Sequence, residues 1–381
     1  MNKLGVRDAT DVRDVRVVVV GAGQAGLSAA FHLRRAGHEP DRDFVVLDHS
    51  PRPGGAWQFR WPTLTYGKVH GMHALPGLEL TGADPDRPSA EVIGGYFDTY
   101  ERTFGLGVHR PVDVTAVRDG DDGRLLVETS EGPYRARALI NATGTWDRPF
   151  WPRFPGQRDF RGRQLHTARY PGPGAFAGQR VMVVGGGTSA VQHLLEIAEV
   201  AAGTVWVTRR PPAFRPGPFG EEQGRAAVAL VADRVRRGLP PQSVVSVTGL
   251  PMTEAMERAR AAGVLDRLPL FDRLTPTGAR WAPGTITGAP RPPVRTTGDG
   301  GRAADVDVVL WATGFRAAID HLAPLRLREP GGGIAVEGTR AVRDPRIHLV
   351  GYGPSASTIG ANRAGRAAVR EIEELLAGVP A

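Results

Sequence analysis

Apolar positions along this chain follow two rhythms. Mainly apolar runs at 15–20, 44–47, 180–184, 204–208 and 306–311, rich in Val and other β-branched residues, have the length of strands buried on both faces. A helical spacing of apolar residues follows two of them, over 27–35 and from about 190 to 200. Each run of strand, glycine-rich turn, helix and second strand predicts a β-α-β unit, and the chain carries two. Alternation between 108 and 137, at Val112, Val114, Val117 and then Leu125 to Val127, with turn residues at 119–123, predicts an antiparallel hairpin or meander packed on the first unit. The stretch 211–293 breaks the pattern. Candidate helices at 221–237 and 253–262 precede Leu268, Leu270, Phe271 and Trp281, and this region is expected to be a helical insertion, about 212–283, in the second unit.

The two turns carry candidate chemistry. The first reads Gly21-Ala22-Gly23-Gln24-Ala25-Gly26 and the second Gly185-Gly186-Gly187-Thr188-Ser189-Ala190. In such a turn the first glycine permits a sharp reversal and the second lets the backbone approach a pyrophosphate. The third position, where alanine is tolerated, packs helix on strand. The pyrophosphate then meets free N–H groups and the positive end of a helix dipole. The second strands end differently. Asp48, followed by His49, lies 22 residues beyond Gly26 and suits ribose hydroxyls, so the first unit suits FAD or NAD. The second copy ends Thr208-Arg209-Arg210, with no acid and two guanidiniums for a 2′-phosphate, so it suits NADP. Two further strands stop at similar small-residue turns, Ala142-Thr143-Gly144 and Ala312-Thr313-Gly314, where the chain can pass close to a nucleotide.

Composition removes several alternatives. The chain has no cysteine, which excludes disulfides, thiolate metal sites and dithiol redox centres, and no metal site is expected. The net charge is +8, yet Lys3 and Lys68 are the only lysines. The arginines are spread without a basic block, so a nucleic-acid partner is not expected. No apolar run reaches the ~18 residues of a membrane span, and residues 1–14 lack a signal-peptide core, so a cytoplasmic location is expected.

These motifs, with four others, resemble the single-component class B flavin-dependent monooxygenases and their bacterial flavin-containing monooxygenase-like relatives. Gly54-Gly55-Ala56-Trp57 is similar to the family's turn beside the flavin, and Trp57 there favours stacking near the cofactor. Phe160-Arg161-Gly162-Arg163-Gln164-Leu165-His166-Thr167-Ala168-Arg169-Tyr170 fits its fingerprint F-x-G-x-x-x-H-x-x-x-[WY], in which His166 is expected to pack domains rather than move protons. Ala312-Thr313-Gly314-Phe315 matches, and Leu349-Val350-Gly351-Tyr352-Gly353 leads into a helix from about Thr358 whose dipole would face reduced flavin. Tyr352 replaces the usual acid there. The Asp of the Baeyer–Villiger members and the Asn of the heteroatom-oxidising members are not found, so no catalytic side chain carries over.

The resemblance implies an α/β protein with two Rossmann-like dinucleotide-binding domains. The FAD domain, 1–165 and 303–381, would be interrupted by an NADP domain, 166–302. Cofactor contacts are expected from Gly21, Gly23, Gln24, Ala25, Gly26, Asp48, His49, Gly55, Trp57, Val114, Ala142, Thr143, Gly144, Gly351 and Ile359, and from Gly185, Gly187, Thr188, Ser189, Ala190, Arg209, Arg210, Ala312, Thr313 and Gly314. NADPH would reduce FAD, and reduced flavin with O2 would oxygenate a small organic substrate through a C4a-hydroperoxyflavin. Substrate-facing positions are expected within 60–100, 212–283 and 315–325. An NADPH reductase serving a partner or a quinone, and a non-catalytic nucleotide-binding redox sensor, share this plan, and a homo-oligomer is compatible with it.

Overall fold

The computed structural model describes residues 12–69, 72–215, 221–242, 249–287 and 293–378. Parts of the expected substrate-facing stretches, at 70–71, 216–220 and 243–248, lie outside the described residues, as does 1–11. The chain forms two compact units, one of residues 1–145, 228–243 and 317–381 and the other of 146–227 and 244–316.

In the first unit β1 (Arg13–Val20) lies between β2 (Phe44–Leu47) and β3 (Tyr134–Asn141), parallel to both. Val108–His109 extends the parallel set beyond β2, and Ile347–Leu349 extends it beyond β3. The strands end together, because Val20 pairs with both Leu47 and Asn141. That register places Gly21, Asp48 and Ala142 along one edge of the sheet. β1 is buried on both faces: Val17 and Val19 join one core and Val18 and Val20 another. The first core contains α1 (Gln24–Arg35) and the helix Thr358–Ala377, and their crossing is close. A Cβ on Gly365 would come within 2.8 Å of the Ser28 hydroxyl. The second core uses the expected meander, in which Val114–Asp119 pairs with Leu125–Thr129 and that strand with β3, all antiparallel. Burying each of these valines contributes roughly 1.5–3 kcal/mol.

The second unit repeats the plan. β4 (Arg180–Val184) lies between β5 (Gly203–Val207) and β7 (Val308–Trp311), while β6 (Arg267–Leu268) flanks β5 and Arg163–His166 flanks β7, all parallel. α2 (Thr188–Ala198) follows β4. An antiparallel sheet of Arg273–Thr275, Gly278–Trp281, Arg302–Asp305 and Val294–Thr296 adds Trp281 to the core beside Phe271 and Trp311. The indole N–H of Trp281 donates to the Pro269 carbonyl at 2.9 Å.

Two expectations need correction. The units divide at 145/146 and 316/317 rather than at 165/166 and 302/303. The reason is strand pairing: Arg163–His166 and Val308–Trp311 hydrogen-bond to each other and to the β4 sheet. The stretch 212–283 is not one helical insertion. Helices Glu221–Arg236 and Glu254–Ala261 are present, but β6 and two strands of the antiparallel sheet follow them. Residues 228–243 cluster with the first unit, where Val235 is fully buried in the second core. Among the described residues no helix is long and apolar enough to cross a membrane.

Candidate functional site

The first unit builds a cradle at the end of β1. Gly21 has φ +96° and donates its N–H to the Leu47 carbonyl at 2.7 Å, while Ala142 donates to the Val20 carbonyl at 2.8 Å. A Cβ on Gly21 would lie 2.7 Å from the Ala142 carbonyl oxygen, and one on Gly26 only 1.8 Å from the Gly21 carbonyl oxygen. Both glycines are therefore required by close backbone packing. Gly23 differs: the nearest atom to a Cβ there is the Gly55 Cα, at 3.8 Å. Packing leaves space at the middle glycine, where a bound group would approach. Gly23 also caps α1 without any side-chain hydrogen bond, so that side chains leave the first turn's N–H groups free.

Other predicted residues gather around this cradle. Gly54 and Gly55 have φ +128° and +50°, and a Cβ on Gly55 would strike the Gly23 Cα at 2.7 Å. Trp57, half-buried in the turn Gly55–Phe59, packs on the first core with the Arg60 guanidinium 5.2 Å from its ring centre. Burial pulls the Arg60 pKa down to about 10. A Cβ on Gly351 would touch that of Ala25 at 3.4 Å. Gln24 donates to Asn362 at 2.9 Å, tying α1 to the helix Thr358–Ala377, where Ile359 is exposed in the first turn. Thr143 is committed to the fold: it donates to the Ala318 carbonyl at 2.6 Å and accepts from Asn141, whose Oδ1 accepts from His321 at 2.7 Å. Tyr352 turns inward, and its hydroxyl accepts from the Ile334 N–H at 3.0 Å, so it does not stand in for an acid.

Asp48 sits in a charge cluster that sequence reasoning missed. Its Oδ2 accepts from Arg110 Nε at 2.9 Å, and Arg110 donates to both oxygens of Glu101 at 2.6 Å each. Asp48 is buried and the side chains of Arg110 and Glu101 are only 10% and 11% exposed, and desolvation raises the Glu101 pKa despite its partner. Asp48 Oδ1 accepts a 3.3 Å bond from the Ser50 N–H. His49 lies exposed beside it, 3.7 Å from Oδ1. The chain passes Asp48 again where Val112 donates to its carbonyl, two residues before Val114.

The second unit repeats the cradle. Gly185, with φ +144°, donates to the Val207 carbonyl at 2.8 Å, and Ala312 donates to the Val184 carbonyl at 2.8 Å. A Cβ on Gly185 would lie 2.2 Å from the Ala312 carbonyl oxygen, yet one on Gly187 would meet nothing within 4 Å. Gly187 caps α2 without a side-chain bond, Thr188 and Ser189 line its half-exposed first turn, and Ala190 is buried against the core. Arg209 and Arg210 are exposed at the end of β5, and the Thr208 hydroxyl donates to the Arg210 carbonyl at 2.8 Å. Thr313 donates to the Phe150 carbonyl at 2.5 Å. His166 accepts the Ala168 N–H at Nδ1, so it is the Nε2–H tautomer and donates to the Gly314 carbonyl at 3.1 Å. Burial lowers its pKa, as befits a neutral packing residue.

Comparison with known proteins adds the family. The profile described as pyridine nucleotide-disulphide oxidoreductase matches residues 18–217. The solved flavin-containing monooxygenase of Stenotrophomonas maltophilia is 35% identical, with TM-score 0.77, covering 96% of this chain and 100% of that one. The chain belongs to this oxidoreductase family, on its flavin-containing monooxygenase branch. An uncharacterized CzcO-like oxidoreductase of Geobacillus kaustophilus is 30% identical over 49% of this chain and 52% of its own length. The chain thus spans about half the length of curated relatives of that kind. A solved OTEMO complex with FAD and NADP shares the fold, at TM-score 0.65 and 18% identity over 95% of this chain and 86% of that one. This chain carries both glycine cradles. It holds no cysteine for the dithiol chemistry in the wider family's name.

Proposed function

We propose that this chain is an FAD- and NADPH-dependent monooxygenase that transfers one oxygen atom from O2 to a small organic substrate, the other leaving as water. One observation carries the reading. The chain builds the same nucleotide cradle twice and gives the two copies opposite charge at the ribose end, Asp48 in one and Arg209 with Arg210 in the other. An anionic ribose site suits the hydroxyls of FAD, and a cationic one suits the 2′-phosphate of NADPH. Space at Gly23 and Gly187, beside glycines pressed against backbone, supports dinucleotides in both. Gly21, Gly23, Gly26, Asp48 and Gly55 would hold FAD. Gly185, Gly187, Thr188, Ser189, Arg209 and Arg210 would hold NADPH. Flavin supplies the electron relay and the O2 chemistry, and the protein positions the rings and excludes water.

Purified protein should be yellow and oxidise NADPH. Coupling of that oxidation to oxygen recovered in a sulfide, amine, indole or ketone is the expected result. Stoichiometric H2O2 with no oxygenated product from any class would make the protein a reductase or oxidase instead.

A further inference from the structure

Internal comparison of the two units exposes one more residue. In each, the residue that follows the second strand donates its N–H to the neighbouring strand: Asp48 to the His109 carbonyl and Thr208 to the Leu268 carbonyl, both at 3.0 Å. In each, that neighbouring segment sends an arginine back. Arg110, just after Val108–His109, reaches Asp48 and is itself neutralised by Glu101. Arg267, on β6, donates from Nη1 to the Thr208 hydroxyl at 3.2 Å. The neighbouring segment is the equivalent one in both units, although Arg110 follows the accepting His109 and Arg267 precedes the accepting Leu268, and the charge at the two strand ends is reversed. The first unit gathers two carboxylates around one guanidinium. The second has Arg267 on the Thr208 hydroxyl and Arg209 and Arg210 next to Thr208 in the chain, and among the described residues none of these three has a carboxylate partner.

Three like charges at one strand end repel each other, and a dianionic phosphate monoester offsets that repulsion. Thr208 is only 1% exposed, so its hydroxyl is a fixed post for Arg267. A guanidinium held in place loses less rotamer freedom on binding, and its other N–H groups stay available. We propose that Arg267 supplies the third guanidinium of a 2′-phosphate subsite and sets, from β6, the preference for a phosphorylated nucleotide. This rests on the reading that the second unit binds NADPH.

The test uses the purified full chain and calorimetric titration with 2′,5′-ADP and 5′-AMP, fragments that need no flavin turnover. Wild type should favour 2′,5′-ADP. Arg267→Ala should weaken 2′,5′-ADP about tenfold, as loss of one charged hydrogen bond does, and leave 5′-AMP within about twofold. Arg267→Lys should recover part of the loss. Thr208→Val, which removes the post and keeps the side-chain shape, should cost about threefold on 2′,5′-ADP alone. If wild type prefers 2′,5′-ADP and Arg267→Ala prefers it equally, this inference fails while the NADPH reading stands. If wild type binds both fragments alike, the NADPH reading itself fails. Equal losses for both fragments in Arg267→Ala and Arg267→Lys would make the residue structural and overturn the proposal.

Discussion

Gly23→Ala and Gly26→Ala place the same methyl group three residues apart, with opposite expected outcomes. At Gly26 the methyl would sit 1.8 Å from the Gly21 carbonyl oxygen and 2.9 Å from its carbon, both backbone atoms that cannot rotate away. α1 must then move off β1, disturbing Leu27 and Phe31 in the first core. Overpacking of this kind costs about 1–3 kcal/mol or more. At ~2–4 °C per kcal/mol for a unit of this size, the apoprotein should melt roughly 3–10 °C early. At Gly23 the nearest atom is 3.8 Å away and φ is −86°, so alanine meets neither clash nor strain. Gly23 is also the N-cap of α1, where alanine costs on the order of 1 kcal/mol or less. Its methyl instead occupies the space a pyrophosphate needs. Losing one charged hydrogen bond there would weaken FAD by about 1.5–3 kcal/mol, or roughly ten- to a hundredfold. Thermal melting of both apoproteins and titration of FAD by flavin fluorescence separate the effects. Full flavin affinity in Gly23→Ala would refute the cradle, and equal early melting of the two variants would refute the packing argument.

Three further outcomes are expected. Arg209→Ala should weaken NADPH about ten- to a hundredfold and leave NADH nearly unchanged in stopped-flow flavin reduction, whereas equal losses would return Arg209 to the general surface. Arg110→Met strands Asp48 and Glu101 as buried carboxylates and should cost about 3–5 kcal/mol at pH 8 by urea melts. Burial already raises the Glu101 pKa, so the folded variant holds a proton that the unfolded chain releases, and its deficit against wild type should narrow between pH 8 and 5.5; a constant deficit would argue against an electrostatic cause. Burial holds His321 and His348 near pKa 4. Stability present above pH 6.5 is then lost as pH falls toward 4, by roughly 3 kcal/mol for each group, and His348→Gln should flatten that slope in melts from pH 7 to 4; an unchanged slope would place the acid sensitivity elsewhere.

Sequence alone determined the local pieces. Runs of valine buried on both faces, followed by glycines and then a helical rhythm, specified β1, α1 and β2, and again β4, α2 and β5, with ends within a few residues of those observed. Such elements are legible because backbone conformation and two-sided burial leave their mark on adjacent residues. The likeness of Ala142-Thr143-Gly144 to Ala312-Thr313-Gly314 was visible too, and folding explains it: each turn docks on the first glycine of its own cradle. Sheet membership was not legible, since Arg163–His166 and Val308–Trp311 take their place from each other and not from their own residues. Nor were the partners of the two strand ends. Arg110 lies 62 residues from Asp48, and Arg267 lies 59 from Thr208. In a chain with so many arginines, no neighbouring residue marks these two as different. The acid at one strand end and the arginines at the other were legible, but only the third strand, by bringing a distant segment alongside the second, sets Arg110 against Asp48 and Arg267 against Thr208.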